Sequence, residues 1–255
     1  MKVDILKITP LMASEFLSSN KSNRKINKKQ LEMIIRTIVA GKWKLTHQGV
    51  AFYSDGELAD GQHRLQAIVK TGIPLTMPVF QGIERNADTI LAIDCGRGRT
   101  VTDSAAISGI KIKPTDISIA KGLKFGYADR SFQKMTHTES CDLCEEYSDD
   151  INNIKLMFPK IKAFITLAPV KVAVANAIKD GVSIDVASKF CNALVSGEYS
   201  DPLFVNAVRL RSKLITRNYN GGGDRVIAYN MTYNTLIKTG KGIEVKRLVE
   251  GRMAK

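Results

Sequence analysis

The stretch Asp60-Gly61-Gln62-His63-Arg64 combines side chains whose types and spacing suit phosphate chemistry. It stands where a predicted strand ends and a predicted helix begins, so the amides of the first helical turn would point at a bound anion. Gly61 allows close approach of the backbone, and Arg64 can donate two parallel hydrogen bonds to phosphate oxygens. His63 can donate to a phosphate or transfer a proton, and Asp60 can ligate a divalent cation or accept a hydroxyl proton. We therefore expect catalytic roles for Asp60, His63 and Arg64, metal ligation by Asp60, and phosphate contacts from Gly61, Gln62 and Arg64.

An alternative interpretation of the same stretch needs no ligand. Asp60 and Gly61 can form a simple turn with the aspartate as helix cap, which leaves His63 and Arg64 as surface polar residues. A P-loop is excluded as the phosphate-binding device, because the glycines before Lys42 and Lys241 lack the spacing and the hydroxyl residue that it requires.

A second group of polar residues lies between positions 94 and 100, after a predicted buried strand. Arg97, Arg99 and Thr100 offer donors for an anion, and Asp94 can bind a metal or anchor an arginine. We expect these four residues to contribute to nucleotide or phosphate binding. The alternative is a salt-bridged strand end followed by a helix that is capped by Thr100 or Thr102.

The net charge of the chain points to a polyanionic partner. Lys and Arg number 38 against 25 Asp and Glu, which gives a formal charge of +13. Nucleic acid is the commonest partner of such a chain. Two basic clusters are candidate nucleic-acid contacts, although the second is equally compatible with a solvated helix face. They are Lys21, Arg24, Lys25, Lys28 and Lys29, and Arg209, Arg211, Lys213 and Arg217.

The first hundred residues predict a mixed unit that positions the Asp60 to Arg64 stretch. The predicted elements are a helix over 30–40, a hairpin with strands at 50–53 and before Asp60, a helix over 62–70 that stops at Gly72, a strand over 75–83 and a short helix over 86–91.

The rest of the chain has helical periodicity throughout and predicts no strand. We therefore predict an α+β protein with a small mixed domain at 1–105 and an all-helical, basic domain at 106–255. The predicted helices lie at 101–109, 115–126, 139–157, 160–179, 184–196, 202–216 and 224–238.

The pattern Gly61-x-x-Arg64-x-x-Ala67 resembles the phosphate-binding signature of the ParB/sulfiredoxin superfamily. The Asp before the glycine and the His before the arginine are most similar to phage and prophage ParB-like proteins and to the ParB-fold free serine kinases. The segment from Asp94 to Thr100 resembles the Asp-x-Gly-x-x-Arg-Thr element of the same phage proteins. This resemblance implies a ParB/sulfiredoxin-like fold for the N-terminal domain and binding of a nucleotide such as CTP, ATP or ADP at the helix N-terminus.

Together, the residues and the resemblance predict a phage or mobile-element protein that binds phosphates of a nucleotide or of DNA. The leading hypothesis adds phosphoryl chemistry with Mg²⁺ and a nucleoside triphosphate as cofactors, in an NTPase, nuclease or phosphotransferase. The alternatives are a non-catalytic DNA-binding or regulatory module and a small-molecule kinase of the serine-kinase type. Expected partners are DNA, a nucleotide and a second copy in a homodimer, and not a membrane, since no apolar run reaches about 18 residues. Four cysteines and the absence of a signal-peptide pattern favour the cytoplasm, that of the host cell if a phage encodes the protein.

Overall fold

The computed structural model contains a four-stranded mixed sheet together with α-helices, which confirms the predicted α+β class. The chain divides into two compact units, Met1–Arg99 with Gln133–Thr136, and Thr100–Phe132 with His137–Lys255. The structure describes residues 1–21, 23, 25–86, 89, 99–127, 134–158, 163–216 and 222–251. The predicted site residues Arg24, Asp94, Arg97 and Arg217 lie outside the described residues, as does most of the predicted helix over 86–91.

The sheet of the first unit has the strand order β1-β4-β2-β3. Its strands are Lys2–Ile8 (β1), Val50–Tyr53 (β2), Leu58–Asp60 (β3) and Leu75–Ile83 (β4). β4 pairs antiparallel with β1 and parallel with β2, and β2 and β3 form the predicted antiparallel hairpin. β2 and β4 have the predicted bounds, whereas the sequence did not predict β1.

Three helices complete the first unit: Pro10–Ser18 (α1), Lys28–Val39 (α2) and Gln62–Thr71 (α3). α1 was not predicted, and α2 begins two residues earlier than expected, after Asn27 as its N-cap. α3 has the predicted start and ends at the C-cap Gly72. Buried side chains of sheet and helices form one core, which includes Ile8, Val50, Phe52, Leu31, Ile38, Leu65, Ile68, Met77 and Val79. α3 is therefore fixed by apolar packing of Leu65, Ala67 and Ile68 against this core.

The second unit is helical in all its described elements. They are Val101–Ile107 (α4), Pro114–Phe125 (α5), His137–Glu146 (α6), Ser148–Met157 (α7), Ala168–Lys179 (α8), Ile184–Ser196 (α9), Val205–Thr216 (α10) and Gly222–Gly240 (α11), with a 3₁₀ turn at Pro202–Phe204. The predicted domain boundary after residue 105 falls inside α4. Residues Val170, Val172, Ala173 and Val174 of α8 are buried, so this helix forms the centre of the unit.

Two helix predictions in this unit were wrong in detail. The predicted helix over 139–157 is two helices, α6 and α7, separated at Tyr147. Within the predicted helix over 160–179, residues 163–167 are not helical, and α8 begins at Ala168 with Pro169 in its first turn. Proline is tolerated in the first turn because an N–H at that position would have no partner within the helix. Pro169 therefore marks the start of α8. Among the described residues, the helices are too short or too polar to cross a lipid bilayer.

Candidate phosphate-binding site

The turn between β3 and α3 brings the backbone of Gly61 against strand β2. Gly61 is the N-cap of α3 and has a left-handed φ of +104°. A Cβ at this position would lie 3.0 Å from the Cα atom of Val50, so glycine is required both for the dihedral angle and for the close approach. In the described part of the chain, no side chain caps the first turn of α3. A capping side chain therefore does not compensate the positive end of the α3 dipole. Helix termini that bind anions have the same feature.

Arg64 is fixed by two hydrogen bonds beside this turn. Its Nε donates to the carbonyl of Gly49 at 2.9 Å, and its Nη2 donates to Oδ2 of Asp60 at 2.9 Å. The Arg64 side chain is 16% exposed and that of Asp60 is 47% exposed. One carboxylate oxygen of Asp60 therefore anchors Arg64, a role that the sequence analysis did not predict for Asp60.

Gly49 is a site residue that the sequence analysis missed. A Cβ on Gly49 would lie 1.9 Å from the carbonyl oxygen of Pro78, so only glycine lets the chain place this carbonyl against Arg64. A glycine just before a predicted strand is too common to reveal such a contact.

His63 links the start of α3 to the start of α2. The backbone N–H of Asn27 donates to Nε2 of His63 at 2.9 Å. Because Nε2 accepts this hydrogen bond, it carries no proton, and the ring proton of the neutral imidazole lies on Nδ1.

Residues 19–21, 23 and 25–27, here called the strap, are attached to β3 and α3 by asparagine side chains. Nδ2 of Asn20 donates to Oε1 of Gln62 at 3.3 Å, and Nδ2 of Asn23 donates to the carbonyl of Leu58. The Gln62 side chain is buried, so Gln62 orients the strap, and it would meet a phosphate through its backbone amide. The strap asparagines were also missed. Asn27 could have been recognised from the sequence, because an asparagine just before a helix is a common N-cap. No sequence signal links Asn20 or Asn23 to this turn.

The strap and the first turn of α2 carry an exposed basic cluster. Lys21, Lys25, Lys28 and Lys29 are exposed, and within the described residues none of them forms an ion pair. Lys28 and Lys29 occupy the first turn of α2, which contains no acidic residue. Cations are unfavourable at the positive end of a helix dipole, so this end of α2 has a charge excess that an anion would relieve.

The basic residues of α10 have partners within the second unit. Arg209 pairs with Glu244 at 2.7 Å, and Lys213 with a Glu250 oxygen at 3.6 Å. Arg211 donates to the carbonyl of Leu194 near the C-terminus of α9, and a second hydrogen bond from the same nitrogen goes to Val195. These contacts favour the alternative in which this cluster has a structural and solvated role.

The structure assigns Thr100 a capping role. Its hydroxyl accepts a hydrogen bond from the Asp103 N–H at 3.1 Å, and the Asp103 carboxylate accepts one from the Thr100 N–H at 2.9 Å. This reciprocal pair is a capping box at the start of α4. Arg99 is exposed, and its predicted neighbours Asp94 and Arg97 lie outside the described residues.

The donor set near Asp60 is compatible with Mg²⁺ only if phosphate supplies further ligands. Among the described residues, no three His, Cys, Asp or Glu side chains come together as a metal site. Mg²⁺ in phosphate sites commonly uses one or two carboxylates together with phosphate oxygens and water. The half-exposed Asp60 carboxylate could supply one such ligand, since only its Oδ2 bonds Arg64.

Comparison with known proteins adds no relative: no protein-family model, no curated protein and no solved structure matches the chain.

Proposed function

We propose that this chain is a phosphate-binding protein that takes a phosphate group of a nucleotide or nucleic acid at the N-terminus of α3, in the manner of ParB/sulfiredoxin-like proteins. The observation that carries the proposal is the left-handed Gly61, which starts α3 against β2 without a side-chain cap. Main-chain amides and a helix dipole directed at one point are the usual elements of a phosphate site.

Arg64 supports the proposal by a donor that its own hydrogen bonds do not use. Two nitrogens of Arg64 are held by protein oxygens, which leaves Nη1 for a phosphate oxygen. Since these two hydrogen bonds already restrict the guanidinium, little side-chain entropy remains to be lost on binding.

A non-catalytic binding role is the form of this proposal that the geometry favours. The Oδ2 atom of Asp60 is occupied by Arg64, which makes Asp60 an anchoring residue in this structure. Phosphoryl chemistry with Mg²⁺ and a nucleoside triphosphate is the second candidate. It is supported by the other Asp60 oxygen, because the side chain is 47% exposed and lies one residue before Gly61.

Two substitutions of His63 test the phosphate site. Glutamate is favourable near a helix N-terminus and can accept the Asn27 hydrogen bond, so His63→Glu should fold. Its charge would repel a phosphate about 5 Å away by ~3 kcal/mol at an effective dielectric constant of about 20. His63→Gln has nearly the same shape and no charge.

Calorimetric titrations with inorganic triphosphate, ATP, CTP and a DNA oligonucleotide should show binding to the parent protein. His63→Glu should weaken that binding more than about tenfold, because of this repulsion, and His63→Gln should weaken it much less, because it adds no charge. If none of these ligands binds the folded parent, or if both variants bind equally, the assignment of this site is wrong.

A further inference from the structure

We infer that the ligand is a polynucleotide strand whose phosphates contact both the N-terminus of α3 and the lysines of the strap and α2. This inference rests on the proposed function, because it takes the α3 N-terminus as one of the contacts. It adds that the ligand is longer than a mononucleotide and that the lysines of the strap and of the first turn of α2 supply much of the affinity.

The first argument is that the strap and α3 form one connected surface. The Asn27 N–H to His63 hydrogen bond joins the N-cap of α2 to the first turn of α3, so only the length of one imidazole side chain separates these positions. The Asn20 to Gln62 hydrogen bond attaches the strap at a second point of the same turn. A phosphate chain bound at α3 therefore continues naturally onto the strap.

The second argument is the number of cationic groups. Four described lysines, Lys21, Lys25, Lys28 and Lys29, are exposed without an ion pair, whereas Arg64 is already paired with Asp60. A nucleoside triphosphate has three adjacent phosphates, which are fewer than these four lysines. A polynucleotide can contact all four, because it presents one phosphate per nucleotide along the strand.

The third argument is the position of Lys28 and Lys29 at the start of α2. Acidic residues are favoured in the first turn of a helix, yet this turn contains two lysines and no acid. Arg85 of the same unit is bound by Asp55 at 2.7 Å and by Glu57 at 2.6 Å, whereas the exposed Lys7 and Lys70 also have no ion pair among the described residues. It is therefore the helix end, and not the lack of ion pairs alone, that favours an external anion at Lys28 and Lys29.

A membrane surface is the less favoured polyanion. Ile26, which lies between these lysines in the sequence, is partly buried and packs against the core of the unit. Among the described residues from 21 to 29, no exposed apolar side chain could therefore strengthen binding to a lipid surface.

The test compares two double variants that each lower the net charge by two. Lys28→Gln/Lys29→Gln removes charge at the α2 N-terminus, and Lys7→Gln/Lys70→Gln removes it from β1 and from the other end of α3. All four residues are exposed. Each protein is titrated with a single-stranded DNA oligonucleotide over a series of salt concentrations, with ATP, and with vesicles that contain anionic lipid. Melting temperatures check that the variants fold.

For the parent, the logarithm of the DNA binding constant should fall with the logarithm of salt concentration with a slope of about −0.7 per phosphate contact. Lys28→Gln/Lys29→Gln should reduce the size of this slope by ~1.4 and weaken DNA binding more than about tenfold at low salt. Its affinity for ATP should change less than about threefold, and the control variant should behave as the parent.

Three results would overturn the inference. They are equal salt slopes for the two double variants, equal losses of ATP and DNA affinity in Lys28→Gln/Lys29→Gln, and binding of anionic vesicles without binding of DNA. If ATP binds and Lys28→Gln/Lys29→Gln has no selective effect on DNA, the proposed phosphate site stands and only this inference fails. If neither ATP nor DNA binds the folded parent, the proposed function fails first.

Discussion

The N–H of Asn27 and the Nε2 atom of His63 lie 2.9 Å apart, in a hydrogen bond that connects the N-termini of α2 and α3. These residues are 36 positions apart in the chain. Through this hydrogen bond, the orientation of the site residue His63 depends on Asn27, the N-cap of the basic helix α2. It also joins two sequence features, the Gly61 to Arg64 turn and the 21–29 basic cluster, that would otherwise be treated as independent sites.

Replacement of His63 by leucine should uncouple these features. His63→Leu keeps apolar bulk but removes the acceptor for the Asn27 N–H, which we expect to lower the free energy of unfolding by about 0.5–1.5 kcal/mol. Because the strap loses one attachment, DNA affinity should fall more than ATP affinity. Urea unfolding and binding titrations measure both effects. His47→Leu, a change at an exposed histidine outside the site, is the control, and equal losses in the two variants would contradict the role of this hydrogen bond.

Gly61 should be much less tolerant of alanine than another glycine of similar backbone conformation. A left-handed non-glycine residue costs ~1–2 kcal/mol, and a Cβ placed 3.0 Å from Val50 adds crowding, so Gly61→Ala should lower the free energy of unfolding by about 2–4 kcal/mol. Gly56 has φ +83° and open space around its Cα, and Gly56→Ala should cost only about 1–2 kcal/mol. Urea denaturation measures the free energy of unfolding of both variants. Equal losses of this free energy would show that Gly61 does not pack tightly against β2.

Asp60→Asn separates the anchoring role of Asp60 from a catalytic role. The amide oxygen of asparagine can still accept from Arg64, and a partly exposed ion pair contributes about 0–1 kcal/mol, so the melting temperature should change little. Removal of a negative charge beside the phosphate site should leave phosphate affinity equal or higher.

The same variant decides between the two candidate functions. If the parent hydrolyses or transfers a phosphate with Mg²⁺, Asp60→Asn should lower turnover by ~10²-fold or more. Turnover at the parental rate would exclude Asp60 as the base. A tenfold loss of phosphate affinity would instead show that the Asp60 charge is needed to hold Arg64 in position.

Tyr127 should make the second unit sensitive to alkaline pH. Burial raises the pKa of Tyr127 to about 12 from an ordinary value of 10.0. Below pH 10 the phenol is neutral in both states and has no effect. As the pH rises above 10, the phenol of the unfolded chain ionises first, so the free energy of unfolding falls, by up to about 2.7 kcal/mol above pH 12.

Denaturant unfolding of the parent and of Tyr127→Phe between about pH 9 and pH 11 measures this effect. The phenylalanine variant should lose less stability over this interval. Tyr199→Phe, at an exposed position, should retain the parental decline. An unchanged pH dependence in Tyr127→Phe would contradict the assignment to Tyr127.

The elements around the candidate site were predictable because each has a strong local signal. Gly61 and Gly72 mark the two ends of α3, and the hairpin turn at Asp55 and Gly56 separates β2 from β3. β1 was missed because its structure depends on pairing with β4, which is distant in the chain, as in the pair Lys2 and Gln81, and because its apolar Val3 and Ile5 are exposed rather than buried. A strand of this kind has no clear alternation between an apolar core face and a polar face.

The chemistry of the site was predictable in part. The sequence indicates a phosphate site at Gly61 and Arg64, but not that Asp60 and Gly49 hold Arg64, since the Gly49 contact arises from tertiary structure. The attachments of Asn20 and Asn23 span 42 and 35 residues, and no local pattern predicts them. These hydrogen bonds bring the basic strap to the candidate site. Composition and charge counts cannot predict that the two features lie together.

The most direct test of the central claim is an amide chemical-shift titration of the ¹⁵N-labelled protein with inorganic triphosphate at low salt. If phosphate binds at the N-terminus of α3, the amide signals of Gln62, His63 and Arg64 should shift most and should saturate together. The signals of α10, whose basic residues have internal partners, should move little. Saturable shifts confined to α10 or to other surfaces, with residues 62–64 unchanged, would contradict the account.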